Sequence, residues 1–353
     1  MPDDGGVRVG WARAVATDWV SLHARDEAGF VGAFFSGSTT WLPADAELPP
    51  TSDVDVVVVM EGEPPALKLG KFRHRGVLLE VTHLSRDEFD PPERVLATFY
   101  LASSFRTDTI IADPTGILGR LRSLVSASFA EPTWVRARCE HASRRIETGL
   151  AAVDVSAPLH ERVLAWMFPA SVTTQVLLVA ALRNPTVRLR YLAARGVLAD
   201  HGHLDRYPDL LELLGCARMT GGRVAYHLRR LAHTFDATAE VSRTPFFFSA
   251  DITTAARPVA IDGSRALVER GDHREAVFWI AVTFARCHRI LAVDAPPGLR
   301  DALAPAFEEL VADLGLTTGA DLRRRTAEVL GFLPELWRTT ESILATIPGI
   351  RSR

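Results

Sequence analysis

The chain has 353 residues, a length that predicts two domains or three short ones. Hydrophobic residues make up 47% and charged residues 24%, which is typical of a soluble globular protein and excludes disordered, collagen-like and disulfide-rich classes. The net charge of −3 is uneven, with −7 in residues 1–120, +5 in residues 121–244 and −1 in residues 245–353. The acidic first third argues against a partner made of nucleic acid.

The cysteines and the apolar runs indicate the cellular compartment of the protein. The three cysteines are far apart and form no CxxC pair, which excludes zinc ribbons and redox dithiols. No uninterrupted apolar run approaches the roughly 18–20 residues that a membrane span needs. The first residues have neither the basic nor the apolar segment of a secretion signal. We therefore expect a cytoplasmic protein with no membrane partner.

The first 120 residues alternate between predicted helix and predicted strand. Apolar residues at three- and four-residue spacings predict an amphipathic helix from Trp11 to Arg25. Aromatic and β-branched residues then concentrate in short runs, and a turn at Arg75-Gly76 joins two of these runs into a hairpin. The predicted strands are Gly29–Phe35, Val54–Met60, Leu67–Arg73, Val77–Leu84 and Thr109–Ala112.

From Ile117 onward the pattern is mostly helical. Several helices of ordinary length fit between the residues that interrupt the pattern, which are Pro132, Pro158, Pro169, Pro185, Pro208 and the pair Gly221-Gly222. Thr244–Phe248 predicts a linker. The last predicted helices are Glu275–Leu291, Gly298–Leu314 and Ala320–Leu330.

The predicted fold class is therefore α+β, with a mixed sheet and flanking helices followed by a mainly helical region. We predict a catalytic domain at residues 1–120 and a helical domain at residues 121–244. Residues 245–353 form a helical C-terminal segment, which either stands alone or joins the helical domain before it.

Two aspartates at the head of a predicted strand are the first candidate for chemistry. Side chains alternate along a strand, so Asp53 and Asp55 project together while Val54 and Val56 face the core. Two carboxylates at such a short distance repel each other. A hard divalent cation such as Mg²⁺, bound between them, usually offsets this repulsion. The pair therefore predicts a metal site.

Two more features accompany the aspartates. Fourteen residues separate Gly37-Ser38 from Asp53, and the backbone N–H groups and hydroxyl of the Gly37-Ser38 turn can hold a phosphate. Glu80 lies among apolar residues in the predicted hairpin. If its strand neighbours that of Asp53 and Asp55, Glu80 can bind the metal or take a proton from an attacking hydroxyl.

In order and spacing, these residues resemble the nucleotidyltransferases of the DNA polymerase β superfamily over about residues 10–115. Leu79-Glu80-Val81-Thr82 is most similar to the streptomycin and spectinomycin adenylyltransferase group. The chain departs from the family pattern in two places. Leu42 stands four residues after Ser38, where the family often has a glycine, and the spacer between Gly37-Ser38 and Asp53 is longer and rich in proline.

The resemblance implies a nucleotidyltransferase-type sheet and transfer of a nucleoside monophosphate from a nucleoside triphosphate to an acceptor, with ATP as the default donor. Asp53 and Asp55 would hold Mg²⁺, as two ions, with Glu80 as a further ligand and as the base. Gly37 and Ser38 would grip the triphosphate. The acceptor would be a hydroxyl of a small antibiotic-like or natural-product-like molecule, which makes antibiotic resistance one biological role.

Basic residues elsewhere are weaker candidates for nucleotide binding. Arg223 follows Gly221-Gly222 at a helix start, and Arg188 lies near another helix start, so either could reach a phosphate or lie on a solvated face. Lys68 and Lys71, the two lysines of the chain, lie on the first hairpin strand. They could contact the triphosphate, balance the acidic cleft or simply form an exposed face.

Two other functions remain open from the sequence. The first is a regulator that transfers AMP to a partner protein, as in a toxin–antitoxin pair, with a protein as the acceptor. The second is a nucleotide-binding module that has lost catalytic turnover. The presence of Asp53, Asp55 and Glu80 weakens this hypothesis, because loss of activity would normally remove at least one of these carboxylates.

Overall fold

The structure, a computed structural model of the protein, describes residues 6–347. The chain divides into two compact units. Unit 1 comprises Met1–Trp134 and Pro245–Val259, and unit 2 comprises Val135–Thr244 and Ala260–Arg353. Each unit is therefore built from two separate stretches of the chain.

Unit 1 contains a five-stranded mixed sheet, which confirms the predicted α+β class. Its strands are β1 (Phe30–Ser36), β2 (Val54–Met60), β3 (Gly70–His74), β4 (Val77–Ser85) and β5 (Ile110–Ala112). The strand order is β3-β4-β2-β1-β5. Strands β2 and β4 are parallel, and the other neighbouring pairs are antiparallel.

The predicted strands agree with these bounds to within one residue at each end, with one correction. β2 has the predicted bounds, and β3 and β4 form the predicted hairpin. The predicted start of the first hairpin strand at Leu67 is wrong, because β3 begins at Gly70. Gly70 has a φ of 71°, a left-handed conformation that interrupts an extended run.

Helix α1 covers one face of the sheet. The helices of unit 1 are α1 (Val9–Trp19), α2 (Pro92–Ala97), α3 (Phe99–Ala102) and α4 (Ile117–Ser128). A π-helical turn at Val20–Ala24 continues α1, so the predicted helix from Trp11 to Arg25 is confirmed. Val15 and Trp19 of α1 share a buried core with Val54, Val56 and Leu79. Burial of these valines fixes which side chains of β2 face away from α1.

Unit 2 is helical throughout the part of it that the structure describes. Its helices are α5 (Pro132–Ala151), which begins at the end of unit 1, α6 (Leu159–Ala180), α7 (Arg190–Asp200), α8 (Tyr207–Leu214), α9 (Gly221–Val241), α10 (Gly263–Glu269), α11 (His273–Asp294), α12 (Pro297–Asp313) and α13 (Gly319–Thr346).

Two predicted helix boundaries in unit 2, the break at Pro169 and the end at Leu330, are wrong. Pro169 lies inside α6, and α13 continues through Pro334 to Thr346 instead of ending at Leu330. A proline removes one helical hydrogen bond, but tertiary packing of a long helix can outweigh that loss. Gly149 of α5 leaves room for the ring of Pro169, since a Cβ there would lie 2.6 Å from the proline Cβ.

Helices α6 and α11 are also more apolar than the sequence analysis expected. Each contains an 18-residue window long and apolar enough to cross a bilayer, with mean hydropathy of 1.7 and 1.5, and 78% of each window is buried inside the structure. In α6, polar residues such as Thr173 and Gln175 interrupt the apolar run, so its high mean hydropathy is not accompanied by an unbroken apolar sequence. Burial of this kind is also found in core helices of proteins that do not span membranes.

Arg325 of α13 caps the C-terminus of α8. Its Nη2 donates to the carbonyls of Glu212 at 2.8 Å and Leu213 at 2.7 Å, and its guanidinium lies 5.7 Å from the ring of Trp166. The carbonyl of Glu212 also accepts from the backbone N–H of Gly215 at 2.9 Å, so Arg325 adds charged donors to the end of the helix. A cation favours this negative end.

We expect Arg325→Met to lower the free energy of unfolding by about 2 kcal/mol, the usual contribution of hydrogen bonds to a charged group. Urea denaturation measures the loss. The matched control is Arg324→Met, which removes the exposed ion pairs with Asp321 and Glu328 and should cost under about 0.5 kcal/mol. Equal losses in the two variants would contradict the capping role.

Candidate metal and nucleotide site

Four polar residues lie side by side across the sheet of unit 1. Ser36 of β1 is opposite Asp55 of β2, Asp55 is opposite Glu80 of β4, and Glu80 is opposite Lys71 of β3. Residues aligned across neighbouring strands direct their side chains to the same face. The pairing of β2 with β4 confirms the strand adjacency that the sequence analysis could only assume. It places Glu80 next to the aspartates.

The carboxylates of Asp53, Asp55 and Glu80 form one group. Asp53 directly precedes β2, and one oxygen of each side chain lies within 4.8 Å of the others. Burial, followed by the charge of Asp53, raises the pKa of Asp55 to about 7. The carboxylates therefore repel one another in a partly buried place, and a divalent cation with oxygen ligands would relieve that repulsion.

Gly37 fits tightly against this group. Its φ of 65° and ψ of −153° belong to a backbone region that is accessible almost only to glycine. A Cβ at this position would overlap the carboxylate of Asp55. The exposed Ser38 follows and begins a 3₁₀ turn at Ser38–Trp41, in which the hydroxyl of Thr40 donates to the carbonyl of Gly37 at 2.8 Å. Gly37 and Ser38 thus lie beside the carboxylates, as the phosphate-binding prediction requires.

The long spacer between Ser38 and Asp53 is fixed to the start of α1. The backbone N–H of Gly10 donates to the carbonyl of Ala44 at 2.8 Å, and that of Val9 donates to Ala46 at 2.9 Å. The guanidinium of Arg13 donates to the carbonyl of Leu42 at 3.2 Å and also to that of Thr39. These bonds hold the spacer in one conformation and so help to fix the position of the Gly37 turn.

Both lysines of the chain contact the carboxylates. Lys71 Nζ lies 3.1 Å from Asp53 Oδ2 and also contacts Glu80 Oε2, while Lys68 Nζ contacts Glu80 Oε1. Burial opposes the charge of Lys71, yet the carboxylates around it, Asp53 first, raise its pKa to about 12. The ammonium groups therefore balance the acidic group, one of the roles considered from the sequence.

Asp251 is a further carboxylate at the site, and the sequence analysis missed it. Its Oδ1 lies 2.9 Å from Lys71 Nζ. It comes from a 3₁₀ turn at Ser249–Asp251, in the second stretch of unit 1. Asp251 and Lys71 are 180 residues apart, and no local motif marks the aspartate. Only the return of the chain to unit 1 brings the two together.

Arg223 and Arg188, the weaker candidates for nucleotide binding, both belong to unit 2. Arg223 of α9 forms ion pairs with Glu309 and Asp313 of α12, and its hydrogen bonds to these two residues raise its pKa. Arg188 is half-buried just before α7. For both residues the role in binding a nucleotide stays a prediction.

Comparison with protein-family models gives no match, and comparison with curated proteins gives none either. What the site does must therefore be inferred from its own residues. They combine three carboxylates, a glycine turn pressed against one of them, and two lysines. Carboxylate oxygens that lie this close together can bind a hard divalent ion. The glycine turn and the lysines can bind an anion such as a phosphate.

Proposed function

We propose that the chain is a Mg²⁺-dependent nucleotidyltransferase of the DNA polymerase β type, which moves AMP from ATP to a hydroxyl of a small molecule in the cytoplasm. The grouping of Asp53, Asp55 and Glu80, with oxygens within 4.8 Å of one another, is the observation that carries the proposal. The tight fit of Gly37 against Asp55 supports it, because the turn then presents its backbone beside the metal ligands.

The donor set suits the ion that the reaction needs. Mg²⁺ prefers oxygen ligands, and Asp53, Asp55 and Glu80 supply only carboxylate oxygens. When bound, Mg²⁺ offsets the negative charge of the phosphates and of the leaving pyrophosphate. Asp53 and Asp55 hold it, with Glu80 as a further ligand, and the family resemblance implies two such ions.

The protein's own residues supply positioning and proton transfer. The backbone of Gly37 and the hydroxyl of Ser38 hold the triphosphate by hydrogen bonds. Glu80 accepts the proton of the acceptor hydroxyl. A bond forms between the acceptor oxygen and the α-phosphorus, the bond from that phosphorus to the bridging oxygen breaks, and pyrophosphate leaves.

We propose a small hydroxyl-bearing molecule, antibiotic-like or natural-product-like, as the acceptor. The net charge of +5 in residues 121–244 disfavours a polycationic acceptor such as an aminoglycoside. A neutral or weakly charged polyol carries no such electrostatic penalty.

Labelled ATP tests the proposal. We expect label at the α-phosphate, in the presence of Mg²⁺ and a mixture of hydroxyl-bearing molecules, to appear on an acceptor with an equal amount of pyrophosphate. Label at the γ-phosphate should appear only in the pyrophosphate. Transfer of the γ-label to an acceptor would instead identify a kinase, and transfer that continues in the presence of a chelator would contradict the metal site.

A further inference from the structure

The ammonium group of Lys71 contacts carboxylates from three separate parts of unit 1. Asp53 lies before β2, Glu80 lies on β4, and Asp251 lies in the second stretch of unit 1. The Lys71 side chain is only 6% exposed, so water contributes little to its solvation. The charge of Lys71 is stabilised mainly by these carboxylates.

Lys71 contacts two of the carboxylates that the proposed metal ion would need. Asp53 and Glu80 belong to the group of metal-ligand carboxylates, and Lys71 contacts Asp53 Oδ2 and Glu80 Oε2. An ammonium group and a divalent ion that share these carboxylates repel each other. Binding of the ion therefore requires Lys71 to give up part of its contact with Asp53 and Glu80.

Asp251 provides another acceptor for Lys71 and is held firmly in place. The N–H of Asp251 donates to the carbonyl of Phe248 at 2.9 Å, and the N–H of Ile252 donates to that of Ser249 at 3.0 Å. The side chain of Ile252 is fully buried and anchors the turn. Ala250 packs so closely on β3 that a Cβ at Gly70 would collide with it. Asp251 is therefore a fixed carboxylate beside a flexible lysine.

We propose that Lys71 is an internal cation that competes with the divalent ion for Asp53 and Glu80, and that Asp251 receives the ammonium group when the ion binds. Lysine suits this role because its compact charge lies on a flexible stem with three donors. Lys71 and Asp251 are positioning residues, since they act through the metal-ligand carboxylates. The inference rests on the proposed function, because it assumes that the site binds a divalent ion.

Titration of the full chain with Mn²⁺ alone tests the competition, with free Mn²⁺ followed by electron paramagnetic resonance. Lys71→Met removes the competing cation and should tighten Mn²⁺ binding by about tenfold, the scale of coupling between neighbouring charges. Lys71→Arg retains the charge and should bind Mn²⁺ as the unmodified chain does. Arg73→Met is the matched control for charge, because it removes a positive charge from the same strand at an exposed side chain that donates to the Gly76 carbonyl at 2.8 Å.

A double-mutant cycle tests the role of Asp251. Asp251→Asn should weaken Mn²⁺ binding by about fivefold in the unmodified chain, because the charged contacts left to Lys71 are then with Asp53 and Glu80, which the ion needs. The same substitution should change the affinity less than about twofold in the Lys71→Met background. If Asp251 instead bound the ion, or attracted it only through its electrostatic field, Asp251→Asn would weaken Mn²⁺ binding equally in both backgrounds.

The outcomes separate this inference from the proposed function. Three results would each overturn the inference while leaving the metal site intact. The first is equal Mn²⁺ affinity in the unmodified chain and Lys71→Met, and the second is a gain in Mn²⁺ affinity as large in Arg73→Met. The third is an equal effect of Asp251→Asn in both backgrounds. Absence of Mn²⁺ binding in every variant would overturn both. Circular dichroism spectra and melting temperatures establish that each variant is folded, and Lys71→Gln replaces Lys71→Met if the latter is not.

Discussion

Replacing both aspartates, Asp53→Asn with Asp55→Asn, should weaken Mg²⁺-dependent binding of ATP by at least about a hundredfold, because two anionic ligands of the ion become neutral. Calorimetry with a non-hydrolysable ATP analogue measures the loss. The matched control is Asp45→Asn with Asp87→Asn, which neutralises two exposed aspartates of unit 1 and should leave binding unchanged.

Thermal stability shows whether the loss in the double variant comes from the ligands or from misfolding. The pKa of Asp55 is raised in the folded protein, so its ionised form is less stable there than in the unfolded chain. This penalty is absent below the ordinary aspartate pKa and grows as pH rises to about 7. Asp55→Asn should therefore raise the melting temperature at pH 8 when no metal is added. Lost binding together with a lower melting temperature would contradict this explanation.

Glu80→Gln should lower the rate of nucleotide transfer by about 10²–10⁴-fold, the usual contribution of a general base. Glutamine retains the shape of the side chain but cannot accept the proton of the acceptor hydroxyl. ATP binding should fall much less than transfer, since the substitution also removes a negative charge that repels the anionic nucleotide. Single-turnover transfer from α-labelled ATP, compared with calorimetric affinity, separates the two effects.

The exposed Glu93 provides the control for the Glu80 experiment. Glu93→Gln makes the same chemical change in unit 1 and should leave both transfer and binding unaltered. If Glu80→Gln lost ATP affinity and transfer in equal proportion, Glu80 would be a ligand of the metal and not the base. Full transfer in Glu80→Gln would contradict both roles.

Much of the sheet could be predicted from residue patterns, because its strands are short, β-branched and bounded by turns. The alternation of Val54, Asp55 and Val56 predicted which side chains leave the core, and both valines are buried. The neighbour of β2 could not be predicted from the pattern. Strand β4 pairs with β2 although β3 lies between them in sequence, and this pairing alone brings Glu80 beside Asp55.

The errors share a physical cause, which is that distant packing overrides local preference. Pro169 predicts a helix end locally, but α6 continues through it because the helix is buried and Gly149 makes room for the ring. The chain passes from unit 2 to unit 1 between Thr244 and Pro245, within the predicted linker, but no local pattern predicts that Pro245–Val259 joins unit 1 and brings Asp251 to Lys71. A contact between residues 180 positions apart leaves no trace in the pattern around either residue.

The discontinuity of unit 1 also sets the order in which its acidic group is completed during synthesis. A ribosome makes Asp53, Asp55 and Glu80 early, then the whole stretch Val135–Thr244 of unit 2, and only afterwards Asp251. N-terminal parts of a chain generally fold first, whereas contacts that close long loops form late. A nascent chain that ends before Pro245 thus has both lysines and three of the carboxylates but lacks the fourth. During translation, Lys71 would have Asp53 and Glu80 as its partners until Asp251 emerges from the ribosome.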